Sequence, residues 1–289
     1  MRYALFAWLA LASALRPSAV AHPRLRTLRV GETVAAGPGS ITRLATRPAS
    51  FLLRGALRTV DCASLVDAAV AAGFGEAATA SGDAAVDRPG CAVAWVAPPP
   101  ALTAFIAGLF LTDEARAAPG SGCEDFQVVR YDAGGSYALH HDSSAEAPRA
   151  LTVLYYLNGV GNTWLPLADG AGDPPERLDA AFARAAAADP SADGVRTRDP
   201  APGDALVFFN FDAATGDPDW TAVHTALPAA LDVGEKWIAN HWFRVGGILG
   251  AAGRDADLEL LPAGLSALYP APLPGPPPST PMHTIRAAA

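Results

Sequence analysis

Residues 126–142 read FQVVRYDAGGSYALHHD, and from Phe126 onward the chain keeps this character. Short runs rich in Val, Tyr, Phe and Trp alternate with Gly, Pro and Asp, the punctuation of strands. The runs are Phe126–Tyr131, Tyr137–His141, Leu151–Leu157, Ala205–Asn210, Thr221–Leu227 and Lys236–Val245. Upstream, apolar spacing predicts a helix over Val60–Phe74 and another over Leu102–Arg116, after the stop at Pro98-Pro99-Pro100. An Ala-rich stretch, Pro174–Ala188, predicts one helical interruption in a long insertion between strands. Helices first and many short strands afterwards predict a mainly β fold with packed helices (α+β), a β-sandwich or jelly roll.

Composition bounds the function. The chain has 289 residues, is 51% hydrophobic and carries a net charge of −8, which excludes disorder and disfavours a nucleic-acid partner. Met1 and Arg2 precede an apolar stretch, Tyr3–Leu15, interrupted only by Ser13, and Ser18-Ala19-Val20-Ala21 supplies small residues for cleavage after Ala21. At 1.5 Å per residue such a helix spans roughly 20 Å, too short for a bilayer core. Residues 1–21 therefore read as a secretory signal peptide rather than a stable membrane anchor, with an organelle transit peptide as the runner-up. The expected location is the endoplasmic reticulum lumen or the exterior. Residues 22–39 open a basic arm, and residues 22–58 hold seven arginines and one acid, Glu32. Residues 247–289 end in a Pro-rich tail, with PAPLPGPPPSTP at Pro270–Pro281. Of the three cysteines, Cys62 falls on a helical stripe with Leu65, Val66 and Ala69 and reads as core. Cys91 and Cys123 each follow a turn and are the better pair for a disulfide.

The chemistry concentrates in Tyr137-Ala138-Leu139-His140-His141-Asp142. On a strand, side chains alternate, so His140 and Asp142 share one face and His141 takes the other. An imidazole beside a carboxylate needs one more ligand to form a 2-His-1-carboxylate set, which holds one face of an Fe(II) ion. Downstream candidates are His224 and His241. His241 lies opposite Lys236 and Trp242 by alternation, which leaves His224 the better third ligand. A bare H-x-D is common, and its surroundings decide its meaning.

Five blocks stand in order: FQVVRYDAGGSYALHHD, RALTVLYYLN, PAPGDALVFFN, VHTALP and GEKWIANHWFR. Together they resemble the prolyl 4-hydroxylase family of Fe(II)- and 2-oxoglutarate-dependent dioxygenases, and the stretch Thr46–Phe74 is similar to that family's entry into its first helix. The resemblance covers about residues 40–246. It implies a double-stranded β-helix (jelly roll) with iron held by His140, Asp142 and His224. It also implies Lys236 as the partner of the distal carboxylate of 2-oxoglutarate. Tyr137 and Thr152 match positions that line the cosubstrate pocket, and Trp242 matches the aromatic residue six after the lysine. L-ascorbate is implied as the reductant, and the implied substrate is a proline-containing peptide or protein segment of the secretory pathway; of the scaffold's aromatic residues, Tyr155, Tyr156 and Trp164 are candidate contacts, with core packing as the commoner role of such residues. Lys236 is the only lysine in the chain, which sets it apart from a generic solvated one.

Three features depart from the family pattern. Lys236 lies 12 residues after His224, a couple more than usual, and a bulge at Leu231-Asp232-Val233 is expected to restore the register. The block Gly161-Asn162-Thr163-Trp164-Leu165-Pro166 keeps only Thr163 and Pro166 of the family's version. The Pro174–Ala188 insertion enlarges a loop near the substrate entrance. Alternatives are a dioxygenase acting on another substrate, a catalytically silent jelly-roll binding module, or a metal-dependent hydrolase. The hydrolase would need a general base and no Lys236.

Overall fold

A computed structural model describes residues 25, 27–75, 88–111, 122–144, 149–212, 218–228 and 234–244. The signal-peptide segment, the Pro-rich tail and the Leu231–Val233 bulge lie outside the described residues. A hairpin of β1 (Thr33–Ala36) and β2 (Gly39–Ala45) leads into β3 (Ser50–Arg54) and helix α1 (Thr59–Ala72). Next come β4 (Cys91–Val96), helix α2 (Pro100–Phe110), β5 (Phe126–Tyr131), β6 (Tyr137–His140), β7 (Arg149–Tyr156) and β8 (Asn162–Leu165). Helix α3 (Leu178–Ala186) and β9 (Val195–Arg196) follow, then β10 (Ala205–Phe209), β11 (His224–Leu227) and β12 (Lys236–Arg244).

The strands form two sheets. One has eight strands in the order β1-β2-β3-β10-β7-β12-β5-β4, the other four in the order β6-β11-β8-β9. Within the larger sheet, β5, β7, β10 and β12 are neighbours, and the strands between them in sequence make up the smaller sheet. Two antiparallel sheets that exchange the chain in this way are a double-stranded β-helix, the jelly roll that the sequence predicts. The β1–β3 hairpins and β4 extend the larger sheet at its two edges.

Strand β7 shows why the sequence runs apolar here. Leu151, Val153 and Tyr155 face a core beneath α1 and α2, while Leu154 and Tyr156 face the space between the sheets. A strand covered on both faces loses the polar alternation of a surface strand, hence the near-continuous run ALTVLYY. Helix α1 buries Cys62, Leu65 and Ala69 against the outer face, and each fully buried Leu-sized side chain contributes about 2 kcal/mol. Its first turn is held by Asp61, which accepts the Arg58 backbone N–H and two guanidinium bonds, and Gly73 ends it at φ +85°. Pro100 opens α2, where a missing N–H goes unnoticed.

The structure adds to and corrects the sequence reading. Strands come before and between the helices, since β1–β3 precede α1 and β4 separates α1 from α2. Their runs are short and mixed, as in GSITRLA, and carry little period-2 signal. The basic arm lies on its own domain, the blander reading of such a segment: β1 falls inside residues 22–39 and pairs with β2, and Leu25 and Leu28 are buried in the core. Strands β8 and β9 are four and two residues long, below what periodicity can register. All three cysteines are free. Cys91 packs between the sheets and Cys123 packs on the helix-covered face, so the larger sheet separates the pair expected to form a disulfide.

Candidate metal centre

Strands β6 and β11 pair antiparallel with His140 directly opposite His224, so the ladder itself brings two imidazoles together. Their ring centroids are 4.1 Å apart. Strand β6 ends at His140, and Asp142 lies in the bend beyond it rather than on the strand. It nevertheless turns to the same side. Asp142 Oδ1 lies 3.6 Å from His140 Nε2 and Oδ2 lies 3.7 Å from His224 Nε2. The ligand atoms of these three residues all lie within 4.8 Å of one another.

The outer bonds of the ligands fix how they point. His140 Nδ1–H donates to the carbonyl of Ala138 at 2.8 Å, and His224 Nδ1–H donates to that of Ala222 at 3.0 Å. With Nδ1 carrying the proton, each Nε2 lone pair turns inward, the arrangement of a metal-ligating histidine. Burial, reinforced by His224, pushes the His140 imidazole well below its ordinary range and keeps it neutral. Burial works against the Asp142 carboxylate, but His224, His140, Arg149 and the Thr152 hydroxyl outweigh it and hold the group well below the usual range. Two imidazoles and one carboxylate converging on a point suit a divalent first-row metal, and two histidines with one carboxylate suit Fe(II). The expected ligand set therefore fits the residues present.

Neighbouring side chains brace this set. Thr152 Oγ1 donates to Asp142 Oδ2 at 2.7 Å, so this hydroxyl is committed to the carboxylate rather than to a cosubstrate. Arg149 makes a two-pronged ion pair with Glu124 at 2.9 and 2.8 Å and stacks 3.7 Å above the Trp242 ring. Trp242 sits opposite Thr152 in the β12–β7 register and walls that side of the site. Tyr137 stacks on His140 with centroids 3.7 Å apart, and Arg88 stacks on the other face of the site's wall, 3.6 Å from the Tyr137 centroid. The flanking His141 turns away: its Nε2–H donates to the Asp219 carbonyl at 3.2 Å and its Nδ1 accepts the Ser143 N–H at 3.3 Å.

Lys236 is fully buried between the sheets at the start of β12. Its ammonium donates to the Asn162 carbonyl at 3.2 Å and lies 5.0 Å from the Tyr131 ring centroid. Among the described residues it has no ion-pair partner. Burial lowers its pKa to about 8. A buried cation is costly without a counter-charge, and an anionic ligand would supply one.

Three expected substrate contacts are core residues instead. Tyr155 is fully buried on the helix-covered face, and Tyr156 bonds Thr163 and Thr197 inside the barrel at 3.0 and 2.6 Å. Trp164 is 5% exposed and donates to the Asp193 carbonyl. His241 belongs to the opposite face, edge-on to Phe126, as alternation predicts. Arg88, Arg149 and Asn210 are the neighbours that sequence reading missed. Arg88 was visible only as part of the turn Arg88-Pro89-Gly90, and Arg149 and Asn210 only as the ends of strand blocks.

A double-stranded β-helix with two histidines and one carboxylate converging between its sheets defines a non-haem metal site of the facial-triad kind. Residues 126–244 match the family model of the 2OG-Fe(II) oxygenase superfamily. A putative prolyl 4-hydroxylase of Acanthamoeba polyphaga mimivirus is 32% identical over 141 residues, 44% of this chain and 47% of that protein. A probable prolyl 4-hydroxylase of Arabidopsis thaliana is 28% identical over 239 residues, 74% of this chain and 73% of that one. Among solved structures, the viral collagen prolyl hydroxylase of Paramecium bursaria Chlorella virus-1 in its 2OG complex aligns with 67% of this chain and 94% of its own. That alignment has a TM-score of 0.46 and 22% identity. Residues 126–244 are thus similar to the 2OG-Fe(II) oxygenase superfamily, and the curated relatives the chain is similar to are named prolyl 4-hydroxylases.

Proposed function

We propose that this protein hydroxylates proline within a peptide or protein segment, using Fe(II) and 2-oxoglutarate, with L-ascorbate keeping the metal reduced. His140, Asp142 and His224 would hold the iron, and Lys236 would pair with the far carboxylate of 2-oxoglutarate. The observation that carries the cosubstrate assignment is Lys236, a buried ammonium between the same two sheets as the ligand set, answered among the described residues by a backbone carbonyl and an aromatic ring and by no ion pair. A hydrolase has no use for such a group. When bound, iron and 2-oxoglutarate supply the oxidising chemistry, in which one atom of dioxygen enters a substrate C–H bond and the other leaves in succinate, alongside carbon dioxide. The protein orients the three ligands, excludes water and fixes the cosubstrate's charged end. Trp242 and Tyr137 wall the site, and Thr152 acts on Asp142.

The prolyl substrate is supported by the names of the relatives, and the secretory pathway by the Met1–Ala21 pattern alone. Among the described residues no helix is long and apolar enough to cross a membrane. The test supplies Fe(II), 2-oxoglutarate and ascorbate with Pro-rich peptides, Lys-rich peptides and free amino acids in parallel. Succinate release and the gain of one oxygen atom on proline, read by mass spectrometry, is the expected result. Turnover confined to lysyl peptides or free amino acids overturns the substrate, and no succinate in any arm overturns the dioxygenase. Expression in a secretory host followed by N-terminal sequencing tests the location, with His22 as the expected first residue.

A further inference from the structure

Asn210 stands at the end of β10, fully buried, where its side chain and its backbone reach two different parts of the ligand set. On the side-chain route, Asn210 Nδ2–H donates to Thr152 Oγ1 at 3.0 Å, and the same hydroxyl donates to Asp142 Oδ2 at 2.7 Å. The amide fills the hydroxyl's acceptor site and so leaves its proton free for the carboxylate. A hydroxyl that accepts while it donates is also polarised into a better donor. On the backbone route, the Asn210 carbonyl accepts the Asp219 N–H at 2.9 Å. Asp219 in turn caps the short 3-10 turn Trp220–Ala222, accepting the Thr221 N–H and hydroxyl, and its carbonyl accepts the His141 ring. That turn ends in Ala222, whose carbonyl receives His224 Nδ1–H.

We infer that Asn210 is a positioning residue of the metal centre, its side chain acting on Asp142 through Thr152, while the backbone carbonyl at 210 holds Asp219 whatever side chain stands there. The relay ties the carboxylate of Asp142 down by its Oδ2 and so fixes how the group faces His140 and His224. Asn210 Oδ1 has no partner among the described residues although it is buried. Folded proteins rarely leave a buried amide half satisfied, and here the donor end is the one in use. The inference rests on the metal-binding part of the function proposed above, not on the cosubstrate or the substrate.

The experiment titrates Co(II) into metal-free protein and follows its visible ligand-field absorption, with thermal unfolding alongside. Asn210→Leu and Thr152→Val should each weaken Co(II) binding about tenfold, the scale of outer-shell partners, and change the absorption envelope. Because the two residues act in series, the double variant should bind no more weakly than the worse single one. Thr152→Ser keeps the hydroxyl and should bind within about twofold of wild type. Unchanged affinity and spectrum in Asn210→Leu, or full additivity in the double variant, overturns the relay, as does a change confined to the unfolding temperature. If Asn210→Leu does not fold, Asn210→Ala is read by the same criteria. Absence of Co(II) binding by wild-type protein would overturn the metal reading itself, while loss of 2-oxoglutarate turnover with these shifts intact would leave the relay standing.

Discussion

Gly161 leaves open the space that the stem of Lys236 fills. A Cβ at Gly161 would overlap the Lys236 side-chain carbons at Cδ and Cε, and the backbone there is at φ +92°, which L side chains rarely adopt. The next residue, Asn162, supplies the carbonyl that receives the ammonium. Gly161, in a block that keeps only Thr163 and Pro166 of the family's version, thus has a specific role. Gly161→Ala should displace the lysine and raise the KM for 2-oxoglutarate at least tenfold, with Co(II) affinity close to wild type. Lys236→Ala should raise the same KM further. Initial-rate kinetics at varied 2-oxoglutarate check both, and an unchanged KM in Lys236→Ala would sink the anchor.

The pH dependence of cosubstrate binding follows from the same lysine. Burial lowers its pKa to about 8, so the empty site loses its positive charge as pH rises through that value. A bound carboxylate favours the ammonium and raises the pKa again. Cys91 and Tyr131 face Lys236, and burial pushes both of them up, so neither carries charge near pH 8. Binding of 2-oxoglutarate should therefore take up a proton above pH 8 and weaken as pH climbs, while near pH 6.5 no uptake is expected. Calorimetry in buffers of different ionisation enthalpy measures this directly. Proton release above pH 8, or no uptake at all, would contradict it.

Replacement of His140, Asp142 or His224 by Ala should abolish metal binding and turnover together, read as metal content and succinate release. His241→Ala should keep both, because its ring lies on the helix-covered face against Phe126, Phe243 and Thr103. Its cost falls on stability instead. Loss of a fully buried ring commonly costs about 3 kcal/mol, which chemical denaturation would register. Metal loss in His241→Ala at full folding would mean that the downstream ligand had been chosen wrongly.

The sequence made the barrel strands legible because burial on both faces writes long Val-, Tyr- and Phe-rich runs, as in β5, β7 and β12. It left β8 and β9 unread because so few residues pair there. The ligands His140 and Asp142 were legible through a local spacing, even though Asp142 proved to lie past the strand end. His224 needed the alternation argument against His241. Asn210, Arg88 and Arg149 were not legible, since each acts through a neighbour distant in sequence: Thr152, 58 positions away, Tyr137, 49 away, and Glu124, 25 away. Tyr155, Tyr156 and Trp164 misled for the opposite reason, since aromatic residues in a strand are core more often than contacts.

Cys91 offers a probe of the cosubstrate pocket that leaves the iron ligands untouched. It pairs with Tyr131 across β4 and β5, and Tyr131 pairs with Lys236 across β5 and β12, so the three residues form one row across three strands. Strands stand about 4.8 Å apart, which puts Cys91 and Lys236 within roughly 10 Å of each other on adjoining positions of the sheet. The Cys91 thiol is partly exposed, whereas Cys62 is buried in the core beneath α1. Burial pushes the Cys91 thiol up, while Arg88 and Lys236 draw it back down. It should therefore react slowly with iodoacetamide at pH 7 and faster above pH 8. Saturating 2-oxoglutarate should slow its alkylation severalfold and leave Cys123, on the other side of the sheet, unchanged. Peptide mapping by mass spectrometry resolves the two sites. Equal protection of both thiols would indicate a global tightening of the protein, and no protection at Cys91 would place the cosubstrate elsewhere than beside Lys236.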